Sequence, residues 1–221
     1  DEFEYSETIY TYGSHWDGHS VDIDPESNDI IRLKSNIPLL TQDFRIALIE
    51  KIRSMGGKVI ANSSPFTRTM GKVHFPRFVE TGSPMSLPKA HLFTPVGLSD
   101  HYTTDNESDI MSHVRLHLEF GCLYYYYGFD KMSFSDNVLQ NMFPFTPMEL
   151  HSGYVIGKER IITVRSGIFG WGDNSNIIPY FYNKEGRLIT KNYEVVHENG
   201  CNYINVRLEP NQIAVLVRAV Q

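Results

Sequence analysis

The chain has 221 residues, 41% of them hydrophobic and 13% aromatic, enough for one large packed domain or two small ones. Its 26 acidic and 20 basic side chains give a net charge of −6, with no Lys/Arg cluster to neutralise phosphates, which excludes nucleic acid as a partner. No apolar run reaches membrane-spanning length, and the two cysteines, Cys122 and Cys201, leave one bridge or two free thiols open.

Residues 2–12 suit a helix with an apolar side at Phe3, Ile9 and Tyr10, closed by Gly13. HSVDI (19–23) reads as a strand. Thr41 is a candidate cap for a helix QDFRIALIEKIRSM, with Phe44, Ala47, Leu48 and Ile52 on one side and Gly56-Gly57 as the stop. KVIAN (58–62), RFVET (77–81) and HLFTP (91–95) read as strands. Ser108 or Asp109 is placed to cap a helix DIMSHVRLHLEFG with Ile110, Val114 and Leu118 at helical spacing, which runs into a strand LYYYYG (123–128). Strands separated by helices imply right-handed βαβ units and a parallel sheet.

Beyond about residue 148 the helical period disappears. YVIG, RIITVRS, GIFGW, IIPYFYN, YEVVHE, YINVRLE and IAVLVRA are short strand candidates with turn signals between them. The reading therefore divides the chain into an α/β part, 1–147, and an all-β antiparallel sandwich domain, 148–221, with the boundary in the Pro-rich stretch 142–150.

Aspartate is a poor strand former, yet HWDGHSVDID carries Asp17, Asp22 and Asp24. Val21 and Ile23 share one parity, Ser20, Asp22 and Asp24 the other. In a parallel barrel the apolar pair would pack under helices and the polar set would face the axis, near the strand's C-terminal end, where barrel enzymes carry their catalytic groups.

WDGHSVD resembles the (F/Y)DG-x-x-x-D strand of (β/α)8 glycoside hydrolases, the α-galactosidase clan among them. ELHSGYVIGKERIITVRSG with a final IAVLVRA is similar to the C-terminal β-domain of such enzymes. The resemblance implies a partial (β/α)8 barrel, about strands four to eight, followed by the sandwich. It maps the nucleophile onto Asp22 and the acid/base onto Glu80 of RFVETGS. Asp17 would orient the start of the strand. The implied chemistry is a two-carboxylate displacement on a carbohydrate substrate, with the carboxyls roughly 5–5.5 Å apart for retention or about 6.5–9.5 Å for inversion. A complete barrel takes about 200–250 residues, so this reading expects the C-terminal part of a longer protein, strands one to three coming from the same precursor or a companion chain.

Around that pair, Asp24 is a turn residue before Pro25 or a second candidate nucleophile. Trp16, Tyr124, Tyr126 and Trp171 are candidate stacking walls. His91 is a substrate-facing or a core histidine. Asn62 either hydrogen-bonds a sugar hydroxyl or, in the sequon Asn62-Ser63-Ser64, carries a glycan; the two readings exclude each other. Asn106 of Asn106-Glu107-Ser108 is the better glycan acceptor, and the sequons together suggest a secreted protein. His113 and His117, four apart on a helix, lack a third ligand and read as a solvated face, so neither metal nor cofactor is expected. The rival function is a non-catalytic extracellular structural or carbohydrate-binding glycoprotein.

Overall fold

The structure, a computed structural model, describes residues 3–80, 86–94, 96–98, 106–125 and 138–219. The chain divides into two compact units, Asp1–Phe78 and Val79–Gln221.

In the N-terminal unit, β1 (Tyr10–Thr11) is followed by β2 (Val21–Ile23), β3 (Ile30–Leu33) and β4 (Ser35–Asn36). β1 pairs antiparallel with β4, and β2 pairs antiparallel with β3 in the register Val21↔Leu33, Asp22↔Arg32. Helix α1 (Ile37–Ser54) starts where Asn36 accepts a hydrogen bond from Leu39 N at 3.1 Å, with Pro38 in the first turn, where its missing N–H costs nothing. Lys51 and Arg53 in the last turn suit the negative end of the helix dipole. β5 (Ala61–Asn62) and the first residues of β6 (Arg77–Glu80) pair in parallel. Ala61, Ile49 and Met70 are buried, and so is an ion pair between Glu4 and Arg77.

In the C-terminal unit, the last residues of β6 pair in parallel with β7 (Val96–Leu98), and β7 with β8 (Leu123–Tyr125). Helices α2 (Leu87–Phe93), α3 (Glu107–Glu119) and α4 (Val138–Met142) belong to the same unit. The remainder is antiparallel. β9 (Pro147–His151), β10 (Tyr154–Gly157), β11 (Arg160–Thr163), β13 (Ile177–Tyr182), β14 (Leu188–Ile189) and β17 (Ile213–Arg218) form a sheet in the order β14-β13-β17-β11-β10-β9. β12 (Gly167–Phe169), β15 (Glu194–Glu198) and β16 (Cys201–Val206) form a second sheet in the order β12-β16-β15.

The two larger apolar clusters among the described residues lie in this unit. Ile161, Ile177, Phe181, Ile204, Val206, Ala214 and Leu216 join strands of the two sheets. On the other side of the larger sheet, Val155, Ile162, Tyr182, Ile213 and Val215 meet Ile110, Met111, Val114 and Leu118 of α3 and Leu123 and Tyr124 of β8. Backbone bonds fix that contact: Gly153 N donates to Leu118 O at 2.8 Å. In the Asn183–Gly186 turn, Gly186 has φ +81°, and a Cβ there would sit 2.8 Å from Met111 Cγ.

Several expectations are corrected. The barrel resemblance fails: the sheets are mainly antiparallel, and no closed barrel exists among the described residues. The strand read as the fourth of a barrel is one arm of an antiparallel hairpin. Residues 2–12 are not a helix. Glu4 turns inward to Arg77, Phe3 meets Phe75 edge-on at 6.1 Å, and Tyr10–Thr11 is a strand. HLFTP is not a strand; its first residues end α2, which carries Pro88 in its first turn. Asn36, not Thr41, caps α1, and the Thr41 hydroxyl donates back to Ile37 O at 2.7 Å. Phe44 is 72% exposed and Ile49 faces inward instead. Both cysteines are free thiols. Among the described residues no helix is long and apolar enough to cross a membrane.

Candidate functional site

The segment 15–36 is built by its aspartates. Asp24 makes the hairpin turn: its Oδ1 accepts from Glu26 N and Ser27 N, both at 2.9 Å, while Asp24 N donates to Asp29 O. Pro25 fixes φ just after it, and Asn28 takes a φ of +62°, which short polar side chains tolerate. The amides of Ser27 and Glu26 hold the Asp24 carboxyl below the usual carboxylate range. Asp24 is thus a turn residue.

Asp17 ties the start of the hairpin to β4. Its Oδ1 accepts from His19 N (2.8 Å) and Ser20 N (2.7 Å), and its Oδ2 from Ser20 Oγ (2.7 Å) and Asn36 N (2.6 Å). Partial burial pushes its pKa up, but the Ser20 hydroxyl and the amides of Ser20, Asn36 and His19 outweigh that and hold it well below the usual range. Asp17 is thus a hydrogen-bond anchor between residues 19–20 and Asn36.

Asp22 accepts four hydrogen bonds, three at Oδ2 and one at Oδ1. Oδ2 accepts from Arg32 Nη2 (2.9 Å) and Nε (3.2 Å) and from Tyr12 Oη (3.0 Å), and Oδ1 from Lys34 Nζ (2.7 Å). Lys34, then Arg32, draw its pKa down to about 2. Three of these bonds converge on Oδ2 and one reaches Oδ1, so two cations and a phenol hold the carboxylate while one Oδ1 direction stays open among the described residues. The cations are stacked in turn: the Arg32 guanidinium lies 3.6 Å from the Tyr12 ring centroid, and Lys34 Nζ 4.3 Å from that of Tyr10. Trp16 Nε1 donates to Ser20 O at 2.8 Å, and the same carbonyl accepts from Lys34 N. Tyr10, Tyr12 and Trp16 are all about half exposed. The result is a half-exposed cluster in which Tyr12 and Tyr10 back the two cations that hold the Asp22 carboxylate, with Trp16 bonded to the same hairpin at Ser20.

Sequence reasoning missed Tyr10, Tyr12, Arg32 and Lys34. The signal was present: two tyrosines and two cations, each pair spaced by two, put like side chains on one side of a strand.

The other candidates lie elsewhere. Glu80, half-buried at the end of β6, belongs to the C-terminal unit, whereas Asp22 belongs to the N-terminal one. Asn62 is only 4% exposed in β5. His91 lies in α2, not on a strand. Tyr124 is a core residue, packed on His113 and His117 at centroid distances of 5.7 and 5.0 Å. Tyr126 lies outside the described residues. Trp171 donates to Gly157 O and packs near Arg218. Asn106 is exposed and accepts from Asp109 N at 3.1 Å as the cap of α3. His117 is not on a solvated face; it is fully buried. Among the described residues no group of three or more His, Cys, Asp or Glu side chains is placed to hold a metal ion.

A cleft of about 220 Å³ in the N-terminal unit is lined by Ser6, Ile9, Asn36, Pro38 and Phe66, and none of the acidic candidates borders it. No protein-family model, no curated protein and no solved structure matches this chain.

Proposed function

We propose that this chain is a non-catalytic, extracellular carbohydrate-binding protein. The observation that carries the reading is the half-exposed rings Tyr10, Tyr12 and Trp16 on the hairpin whose cations hold Asp22. Large rings left in water cost free energy unless a partner covers them, and contiguous exposed apolar surface marks a binding face. A sugar ring has an apolar C–H side that stacks on an aromatic ring and a rim of hydroxyls that meet fixed polar groups. Both features are offered here by side chains already held in place.

The same contacts argue against turnover. A glycosidase nucleophile must have a lone pair directed at the anomeric carbon. Asp22 is instead clamped by Arg32, Lys34 and Tyr12, and the two cations that lower its pKa to about 2 lower its nucleophilicity with it. The exposed sequon at Asn106 supports the secretory route, where such asparagines receive glycans.

The test is calorimetric titration against a panel of oligosaccharides, run beside a sugar-release assay. Binding without release is expected, with Trp16→Ala or Tyr12→Ala weakening it about tenfold, the loss of one stacked ring. Glycoside turnover that disappears in Asp22→Asn would overturn the reading, as would a panel in which no saccharide binds.

A further inference from the structure

We infer that the saccharide taken by this face is anionic, its carboxylate or sulfate docking on Arg32. The inference rests on the carbohydrate-binding reading above and adds the ligand's charge. The whole chain carries a net charge of −6, yet the ion cluster at Asp22 sets two cations against one carboxylate. Counted over those three side chains the excess is one positive charge, set among Asp17, Asp24, Glu26 and Asp29 of the same segment.

The disposition of that charge matters more than its sum. The Arg32 side chain is 59% exposed, but its guanidinium is not free to wander. One plane rests on Tyr12, and Nε and Nη2 are both committed to Asp22 Oδ2. Nη1 makes no hydrogen bond with a described residue, so one edge of a fixed planar donor faces solvent. A guanidinium held in advance loses little entropy when it binds, and its geometry matches oxyanions. Lys34 lies on the other side of Asp22 and adds positive potential from a second ring, that of Tyr10.

The Asp22 carboxylate is 24% exposed and already accepts from two cations and a phenol, whereas the Arg32 side chain is 59% exposed. The more accessible charged group of the cluster is therefore a donor, and the ligand that complements it brings oxyanion acceptors. The neighbouring aromatic rings select a saccharide over a bare ion.

The experiment titrates the purified chain with three oligosaccharides of equal length: a neutral galacto-oligosaccharide, an oligogalacturonate and a sulfated galactan fragment. Both anionic ligands, or one of them, should bind at least about tenfold tighter than the neutral one at low ionic strength, and the advantage should shrink in 0.5 M salt. The stronger of the two identifies carboxylate or sulfate as the docking group. Arg32→Gln should bring the anionic affinity down by about tenfold, and Arg32→Lys, which keeps the charge but not the fork, should fall between. Equal or tighter binding of the neutral ligand by the unmodified chain overturns the inference while leaving the carbohydrate reading intact. An anionic preference that survives in a folded Arg32→Gln also overturns it. Failure of all three ligands, and of the wider panel, removes the carbohydrate reading itself.

Discussion

Glu4 and Arg77, 73 positions apart in the sequence, form an ion pair at 2.5 Å that is almost wholly shielded from solvent. Glu4 Oε2 also accepts from Phe66 N at 2.9 Å, and Arg77 Nη1 donates to Ser63 O at 3.0 Å, with its guanidinium over the Phe75 ring. Residues 3–4 are thereby tied to two later segments of their unit, 63–66 and 75–77.

Glu4→Gln should destabilise the N-terminal unit by about 3–5 kcal/mol, because it strips a buried guanidinium of its counter-charge. Glu4→Gln combined with Arg77→Met should cost less than the single change, since the isolated charge is then gone. Urea unfolding of the three proteins checks the order; a double variant weaker than the single one would refute the account.

His117 predicts an acid-sensitive fold. Burial pushes its pKa from the ordinary 6.5 down to about 4, and its Nδ1 lies 2.7 Å from His113 O. The folded pKa lies below the unfolded one, so the unfolded chain binds the proton first. The favourable contribution is whole above pH 6.5, declines as the pH falls from 6.5 to about 4, and levels off below that. Its size is on the order of 3 kcal/mol. Unfolding measured at pH 7, 5.5 and 4.5 should show this slope in the wild type and lose it in His117→Gln.

Asp17→Asn should destabilise the hairpin and β4 by about 1–3 kcal/mol, because an amide cannot accept from all four donors that now converge on the carboxylate. Since the carboxyl is held below its ordinary value, its contribution is present above the unfolded pKa and is lost as the pH falls through the folded one. Amide exchange at His19, Ser20 and Asn36 reports the change site by site; unaltered protection there would count against the proposed anchor.

Expression in a host that adds N-glycans should give a chain modified at Asn106 and not at Asn62. Asn106 is exposed at the first turn of α3, whereas Asn62 is buried in β5. Peptide mass spectrometry after enzymatic deglycosylation in 18O-labelled water decides it, and a tagged Asn62 would mean that β5 opens or forms late.

The strands of the C-terminal unit were legible wherever a turn signal separated apolar runs. YVIG and RIITVRS flank Gly157-Lys158 and become β10 and β11. The β2–β3 hairpin was misread because Val21 and Ile23 fit a strand of either pairing sense. What decides the sense is connection length: only residues 24–29 separate the two strands, and a parallel crossover needs a dozen or more. In α1, two apolar stripes share the helical period, and Phe44 with Leu48 gives no hint that Ile49 is the buried member. The acidic candidates were visible as residues, but their partners Arg32 and Lys34 lie across a hairpin that the parallel reading did not contain.

The two thiols differ in chemical availability. Cys122 is buried, and desolvation pushes its pKa up to about 12, so the reactive thiolate is suppressed until the chain opens. Cys201 is partly exposed beside the Asn199-Gly200 turn. A thiol-reactive dye therefore marks the native protein at one position and the opened protein at two. The second labelling event becomes a clock for opening of the packing around α3 and β8, readable from an intact mass without any engineered probe.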